Sequence, residues 1–363
     1  MIDNKIMEEQ RNYGVDLLRI VSMLMIVGLH VIGHGGVLDA THVAYVKYGT
    51  AWLLEIAFYC AVNCFAIISG YVGVKGSFKI KNIILLWCQV AFYSVMITVV
   101  FTIAGRELDI RQLVQSFFPV LSYQYWYFTA YFALFFLMPL INHFVLNLEK
   151  QALVFFSLVF LALFSVLPTF TPLDIFCTAS GYSVIWLMVM YFIGACIRIV
   201  EPEDIKLSKC IFGYILLIAV TAAVKIGFLL IDRRDISNTL VSYTSPTMAG
   251  CAILLFLLFY RLQISPKLIK WIKMLSPMSF GVYLIHSHPL VFEKILKNRF
   301  AIYAEKNVFM MIVSIIATIF SIYFLCSLLE WIRIRFFSLL RVWHIAECIQ
   351  EKIYKKMSFL SKV

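Results

Sequence analysis

Charge is scarce in this chain. Asp, Glu, Lys and Arg supply 14% of its 363 residues, while 62% are hydrophobic. A soluble chain of that size divides apolar and polar residues roughly in half, so a soluble globular fold is excluded. No low-complexity linker, second soluble domain or internal repeat interrupts the apolar sequence. Metal chemistry finds no ligand set either. Of the nine cysteines, Cys60, Cys64, Cys88, Cys196, Cys251 and Cys326 sit inside apolar runs, where a thiol behaves as a small hydrophobe. Cys60 and Cys64 share a helical face, but no His or carboxylate stands near enough to complete a site. A cleavage site is lacking after the first apolar run, so the polar start with Glu8 and Glu9 is expected to precede a retained signal anchor.

What is there is a succession of apolar segments of about 20 residues, the length that crosses ~30 Å of hydrocarbon. Ten spans are expected, at about 17–34, 51–73, 83–104, 125–146, 152–170, 184–200, 210–231, 240–262, 278–296 and 307–331. The fold class is therefore all-α, a polytopic integral membrane helical bundle. Lys and Arg fall 21 on the side of the N-terminus, the even-numbered loops and the tail, against 9 in the odd-numbered loops. By the positive-inside tendency both termini are cytoplasmic, in the cell membrane. The loop after span 9, with Lys294, Lys297, Arg299 and Lys306, runs against that count. The stretch 333–363 mixes basic residues with Phe336, Leu339, Trp343 and Ile349, the pattern of an amphipathic segment on an anionic leaflet. It accounts for much of the net charge of +11, so membrane lipid rather than nucleic acid is the expected partner of the basic residues.

Ionisable groups inside a span are costly and usually face a cavity or one another. In span 1, DLLRIVSMLMIVGLHVIGHGG (16–36), Arg19 and His30 stand eleven residues apart, three turns plus about 20°. They share one face, ~16 Å apart along the axis. Arg19 alone fits a snorkelling anchor and His30 alone a helix contact; together on one face they point to chemistry. In span 9 Tyr283 and His286 are one turn apart, His288 points elsewhere, and Pro289 frees backbone acceptors. Span 2 contributes Glu55, a carboxylate one turn into the membrane, and AVNCFAIISGYVG (61–73), where Asn63 and Ser69 are expected interhelical hydrogen-bonders and Gly70 a close-packing site. Lys75 and Lys79 follow. YQYWYFTAY (123–131) is an aromatic belt, or a wall for a sugar ring.

These residues resemble the membrane acyltransferase-3 family. The resemblance rests on DLLR with Arg19, ten residues and then His30; on FAIISGYVG with Ser69, Gly70 and Tyr71; on YWYF with Trp126; on YFIGACI around Gly194; and on GVYLIH with Tyr283 and His286. It covers about residues 12–331, so 1–332 is expected to be the acyltransferase-3-like transmembrane domain and 333–363 a basic cytoplasmic tail. The resemblance implies an O-acetyltransferase of bacterial surface polysaccharides or lipid-linked sugars, with acyl-coenzyme A as co-substrate and no resident cofactor or metal. By the resemblance Arg19 and His30 would be the essential catalytic pair, with His30 a base or a transiently acylated nucleophile; from their place in span 9, Tyr283 and His286 are expected to join them as catalytic residues that stabilise the oxyanion or orient His30. Arg19, Ser69, Lys75 and Lys79 would bind the donor, and Glu55 and Trp126 the acceptor. Lysines stand after span 2 where the family usually carries arginines, which keeps point charges for phosphate but loses the bidentate fork. The family's occasional extracytoplasmic hydrolase-like domain is not expected. Two other classes remain open from the residues alone: a transporter or flippase of a lipid-linked glycan, and a polysaccharide polymerase or glycosyltransferase. An internal repeat would favour the former and large outer loops the latter.

Overall fold

The computed structural model describes residues 11–41, 45–105, 109–202, 205–233 and 236–357. Glu8, Glu9 and the end of the basic tail lie outside them. No strand occurs among the described residues; the chain is a bundle of helices. Helix α1 (Tyr13–Leu29) starts where the Asn12 side chain accepts the Val15 N–H, and a π turn at His30–His34 continues it. Helices α2 (Tyr45–Tyr59) and α3 (Ala61–Gly73) form one run broken at Cys60. Then come α4 (Ile80–Gly105), α5 (Trp126–Leu146), α6 (Lys150–Leu161, with π and 3-10 turns to Phe170) and α7 (Val184–Val200). The chain goes on through α8 (Leu207–Leu230), α9 (Pro246–Arg261), α10 (Pro266–Leu275), α11 (Ser279–His286), α12 (Val308–Leu339) and α13 (Val342–Lys356).

Among the described residues eight helical runs are long and apolar enough to cross a membrane. Helices α7 and α9, with 17 and 16 residues, are shorter apolar helices in the places of the sixth and eighth expected spans. The protein is a polytopic helical membrane protein. The ninth span differs from expectation. Its helical run is Pro266–His286 rather than 278–296. Pro266 opens the helix early at a position that needs no N–H. The run ends before His288 because the residue preceding Pro289 is pushed out of the helical region. Helix α10 is amphipathic: Ile272 is buried while Leu268, Trp271 and Met274 are exposed beside three lysines.

Helix α1 is the axis of the bundle, with 72% of its apolar window buried, against 11% for α6 and 22% for α8 and α12. The outer helices present Phe155, Phe212, Phe309 and Phe324 outward, which hydrocarbon accepts at no cost. Helices α3 and α7 touch backbone to backbone. A Cβ on Gly70 would stand 1.9 Å from the Tyr191 carbonyl oxygen, and one on Gly194 2.0 Å from that of Ile67. Asn63 is the interhelical hydrogen-bonder expected: it donates to the Tyr243 carbonyl at 2.8 Å and accepts from Trp186 Nε1 at 2.8 Å. The Ser69 hydroxyl bonds back to the Phe65 carbonyl at 2.9 Å and also pairs with the Tyr131 hydroxyl of α5.

Glu330, fully buried on α12, holds α4 and α11 in place. It accepts from Gln89 Nε2 at 3.0 Å and Tyr93 OH at 2.7 Å, and Arg333 completes a charge pair with it. Gly281 of α11 lies directly on this carboxylate, so a Cβ there would meet Glu330 Cδ at 2.4 Å. Helix α12 runs on past residue 332 to Leu339. Helix α13 docks through Lys81, whose Nζ reaches Glu347 at 2.8 Å and lies 4.5 Å from the Trp343 ring. All nine cysteines are free, and no cluster of metal ligands occurs among the described residues.

Two stability outcomes follow from this packing. Gly194→Ala should lower the unfolding temperature in detergent by several degrees, since overpacking costs about 1–3 kcal/mol. Gly227→Ala, where nothing lies within 4 Å, should not lower it. Glu330→Ala, which strands a nearly buried guanidinium, should cost about 3–5 kcal/mol, and equal melting of variant and parent would contradict the network.

Candidate functional site

Arg19 is fastened before it can act. Its Nη1 lies 3.2 Å from Asp16 Oδ1 and donates to Ser276 Oγ at 3.1 Å. Ser276 in turn donates to Asp16 Oδ1 at 3.3 Å, and Arg11 Nε reaches Asp16 Oδ2 at 2.6 Å. The cluster joins the start of α1 to the turn between α10 and α11. Among the described residues only Nη1 is engaged, which leaves Nε and Nη2 of the planar fork free of protein partners.

Three turns along, α1 loosens into the π turn that begins at His30. Its end is secured by the Gly35 N–H on the His30 carbonyl at 2.7 Å and the Asn298 N–H on the His34 carbonyl at 3.0 Å. A π turn re-aims side chains and recurs at functional sites. The His30 ring meets His286 of α11 at 5.0 Å between centroids, with Phe292 at 5.3 Å and His34 at 5.9 Å. His286 Nδ1 lies 2.6 Å from the Val282 carbonyl oxygen. A carbonyl only accepts, so Nδ1 carries the proton and Nε2 is the basic nitrogen, 3.4 Å from Ser287 Oγ. His30 Nδ1 is buried without a hydrogen-bond partner. His288 faces away, its Nε2 2.8 Å from the Gln124 amide and 3.3 Å from the Ser94 carbonyl.

Two cavities open along this helix, one at each end of the Arg19–His30 line. The cavity at the His34 end has a volume of about 380 Å³, and His30, His34, Tyr283, Trp126, Tyr182 and Tyr243 line it. The cavity at the Arg19 end has about 460 Å³ and is lined by Arg19, Ser69, Lys79, Asn82, Tyr131 and Asn142, among others. They are separated by one helical turn on each of two helices. Phe65 lines the first and Ser69 the second on α3; Tyr127 lines the first and Tyr131 the second on α5. Tyr127 and Tyr131 stack at 6.2 Å, and Tyr127 meets Phe65 at 6.4 Å and Tyr283 at 6.1 Å. Four side chains thus stand between the two chambers.

The predicted residues divide accordingly. His30, Tyr283 and Trp126 share the first cavity, and His286 backs His30 from behind. Arg19, Ser69 and Lys79 share the second. Lys75 does not: it points to Glu201 at 3.6 Å. Glu55 lines neither cavity. It is buried against the π turn, where a Cβ on Gly33 would stand 3.5 Å from its Oε1, and its Oε2 has no partner. His34, left without a role by the sequence, lines the first cavity and packs on Phe292 at 4.3 Å. Sequence reasoning missed Ser276, the paired use of Tyr127 and Tyr131, and Tyr182 and Tyr243. The four-residue spacing of Tyr127 and Tyr131 was a readable signal; the other three come from loops or distant segments.

An all-helical bundle with His and Arg in chambers within its spans is a membrane protein built for chemistry rather than for scaffolding. The acyltransferase-3 family profile, described as an acyltransferase domain, matches residues 12–331. The chain belongs to that family and is a membrane acyltransferase. Comparison with curated proteins and with solved structures gives no significant match.

The wall carrying Tyr243 depends on Asn63. Asn63→Ala leaves the Trp186 indole and the Tyr243 carbonyl unpaired, at about 1–3 kcal/mol for each buried group. Thermal unfolding should shift down by several degrees, and an unchanged midpoint would contradict the bridge.

Proposed function

We propose that the protein is an O-acyltransferase that moves an acyl group, acetyl in the first place, from acyl-coenzyme A to a hydroxyl of a surface or lipid-linked glycan. The observation that carries this reading is the pair of cavities on one helix, with a basic group in one, imidazoles in the other, and a thin aromatic partition between them. The Arg19 end is the cytoplasmic one on the count of Lys and Arg; Lys297, one of the residues that disturbs the count, is neutralised by Glu293 at 2.7 Å. The membrane is the cell membrane, and both termini face the cytoplasm.

The donor enters at Arg19 and Lys79, which receive its phosphates as a fork and a point charge. Its extended arm passes between Ser69 and Tyr131, and the thioester reaches the partition. The acceptor hydroxyl enters from the His34 end, with Trp126 as an apolar wall for the ring. His30 takes the hydroxyl proton as the C–O bond forms at the thioester carbon. The oxyanion that develops is met by the Tyr283 hydroxyl. Collapse breaks the C–S bond, and the leaving thiolate takes the proton back from His30. His286, with its tautomer set by Val282, holds the His30 ring and is a positioning residue. Glu55, behind the π turn, supports the turn that carries His30 in this reading.

Purified protein with labelled acetyl-coenzyme A and base-treated surface glycan tests this reading. His30→Ala should reduce transfer by about 10²–10⁴-fold, and transfer at the parental rate would end the mechanism. Lys79→Ala should raise the donor KM several-fold, whereas Lys75→Ala, outside the cavity, should leave it within about twofold. Equal effects at the two lysines would show that the Arg19 cavity does not hold the donor.

A further inference from the structure

A third cavity lies at the His34 end, against the first. Its volume is about 630 Å³, inside the range of roughly 300–1,000 Å³ of small-ligand sites. Its wall comes from the end of the α6 run and from the segments before α7 and α9, and most of it is serine and threonine. Asp174 and Asn238 also line it, Asn238 Oδ1 accepting from Lys225 Nζ behind the wall, and no Lys or Arg lines it among the described residues. That surface offers mainly hydroxyls, with one carboxylate and no lining cation.

The wall between this cavity and the catalytic one is two segments of chain that each face both ways. Ser180, Ser242 and Thr244 line the hydroxyl cavity, while Tyr182, two residues after Ser180, and Tyr243, between Ser242 and Thr244, line the cavity of His30. Ser242 Oγ donates to the Ser180 carbonyl at 3.2 Å, which ties the two segments, and the rings of Tyr182 and Tyr243 lie 5.1 Å apart on the far side. Trp126 completes the aromatic face, 4.5 Å from Tyr182. Most polar groups of the third cavity are held in place. Asp174 accepts from the Thr178 N–H at 2.7 Å and the Ala179 N–H at 2.6 Å, and Thr169 donates to the Ser165 carbonyl at 3.0 Å. Ser165 differs. It is 1% exposed and lines the cavity, yet its hydroxyl has no hydrogen-bond partner. A buried hydroxyl left unpaired costs about 1–3 kcal/mol, so it is expected to have a partner in the working protein.

We propose that this cavity is a subsite for a non-reacting sugar unit of an oligosaccharide acceptor. It rests on the reading of the protein as a glycan O-acyltransferase. The unit that receives the acyl group sits against Trp126 and Tyr243, and a neighbouring unit lies across the Tyr182–Tyr243 wall with its hydroxyls on Ser165, Thr239 and Thr244. A neutral polyhydroxylated ring suits a site of hydroxyl donors and acceptors without cations, since each serine or threonine that donates inward still has lone pairs to accept with. Acceptors of several units should then be used better than single sugars, through binding energy gained away from the reacting hydroxyl.

The experiment takes the surface glycan of the host cell, removes its esters with mild base and cuts it by partial hydrolysis into fragments of one, two and three units. Acetyl transfer from acetyl-coenzyme A to each is measured with the full-length protein in nanodiscs. In the parent, kcat/KM should rise about tenfold from one unit to three. Thr239→Trp, which fills the cavity, should abolish the rise and keep the one-unit rate and the donor KM. Ser165→Ala removes only an unpaired hydroxyl and cannot weaken the fold; it should lower the three-unit kcat/KM about three- to tenfold, mainly in KM. A flat parental series, or a rise that survives in both variants, overturns the subsite. No transfer to any fragment by the parent overturns instead the glycan reading on which the subsite rests.

Discussion

In hydrocarbon a polar group keeps its place only if another part of the protein receives it, and the arrangement of this bundle follows from that constraint. Arg19 is received by Asp16 and Ser276, Glu330 by Gln89, Tyr93 and Arg333, and Asn63 by Trp186 and the Tyr243 backbone. Each of these joins helices distant in sequence, so polar satisfaction and helix packing are one requirement here. Three of the groups for which the requirement is not met inside the protein lie at a cavity or at the π turn. His30 Nδ1 and Ser165 Oγ belong to residues that line cavities, and Glu55 Oε2 lies behind the π turn.

Helix α1 is central for the same reason. It carries polar groups at both ends, and it is the most enclosed of the long helices. Its straight α geometry delivers Arg19 and His30 to one side, and the π turn then widens the backbone where His30 and His34 must both face the same cavity. The partition between the chambers is thin because α3 and α5 each cross it with residues four apart. A stack of Tyr127 on Tyr131 is apolar in body and polar at its tips, so it can border both chambers and still pack against Phe65. The family membership accounts for the kind of reaction, and the two chambers give the bundle two separate sites along α1.

Helix α11 illustrates positioning at a distance. Its backbone lies on the Glu330 carboxylate at Gly281, and its far end presents Tyr283 to the first cavity and His286 to the His30 ring. A change at Glu330 therefore reaches the far end of α11 through the helix itself. The lysines after α3 make the opposite point. Lys75, Lys79 and Lys81 are close in sequence and alike in charge, yet they serve an ion pair with Glu201, the Arg19 cavity and the docking of α13.

The sequence by itself determined the membrane class, the number of apolar helices and the common face of Arg19 and His30. Those properties depend on hydropathy and on a helical period that acts within one segment. It also put Tyr283 with His286, one turn apart, for the same local reason. The tertiary structure alone decided that Lys79 and not Lys75 enters the Arg19 cavity, that Glu55 stands behind the π turn, and that the ninth span begins at Pro266. It also decided that His286 meets His30 and that Tyr182 and Tyr243 wall the cavity of His30. These are contacts between segments far apart in the chain, chosen by which polar groups and which small residues can meet across helices. A period along one helix carries no information about its neighbour.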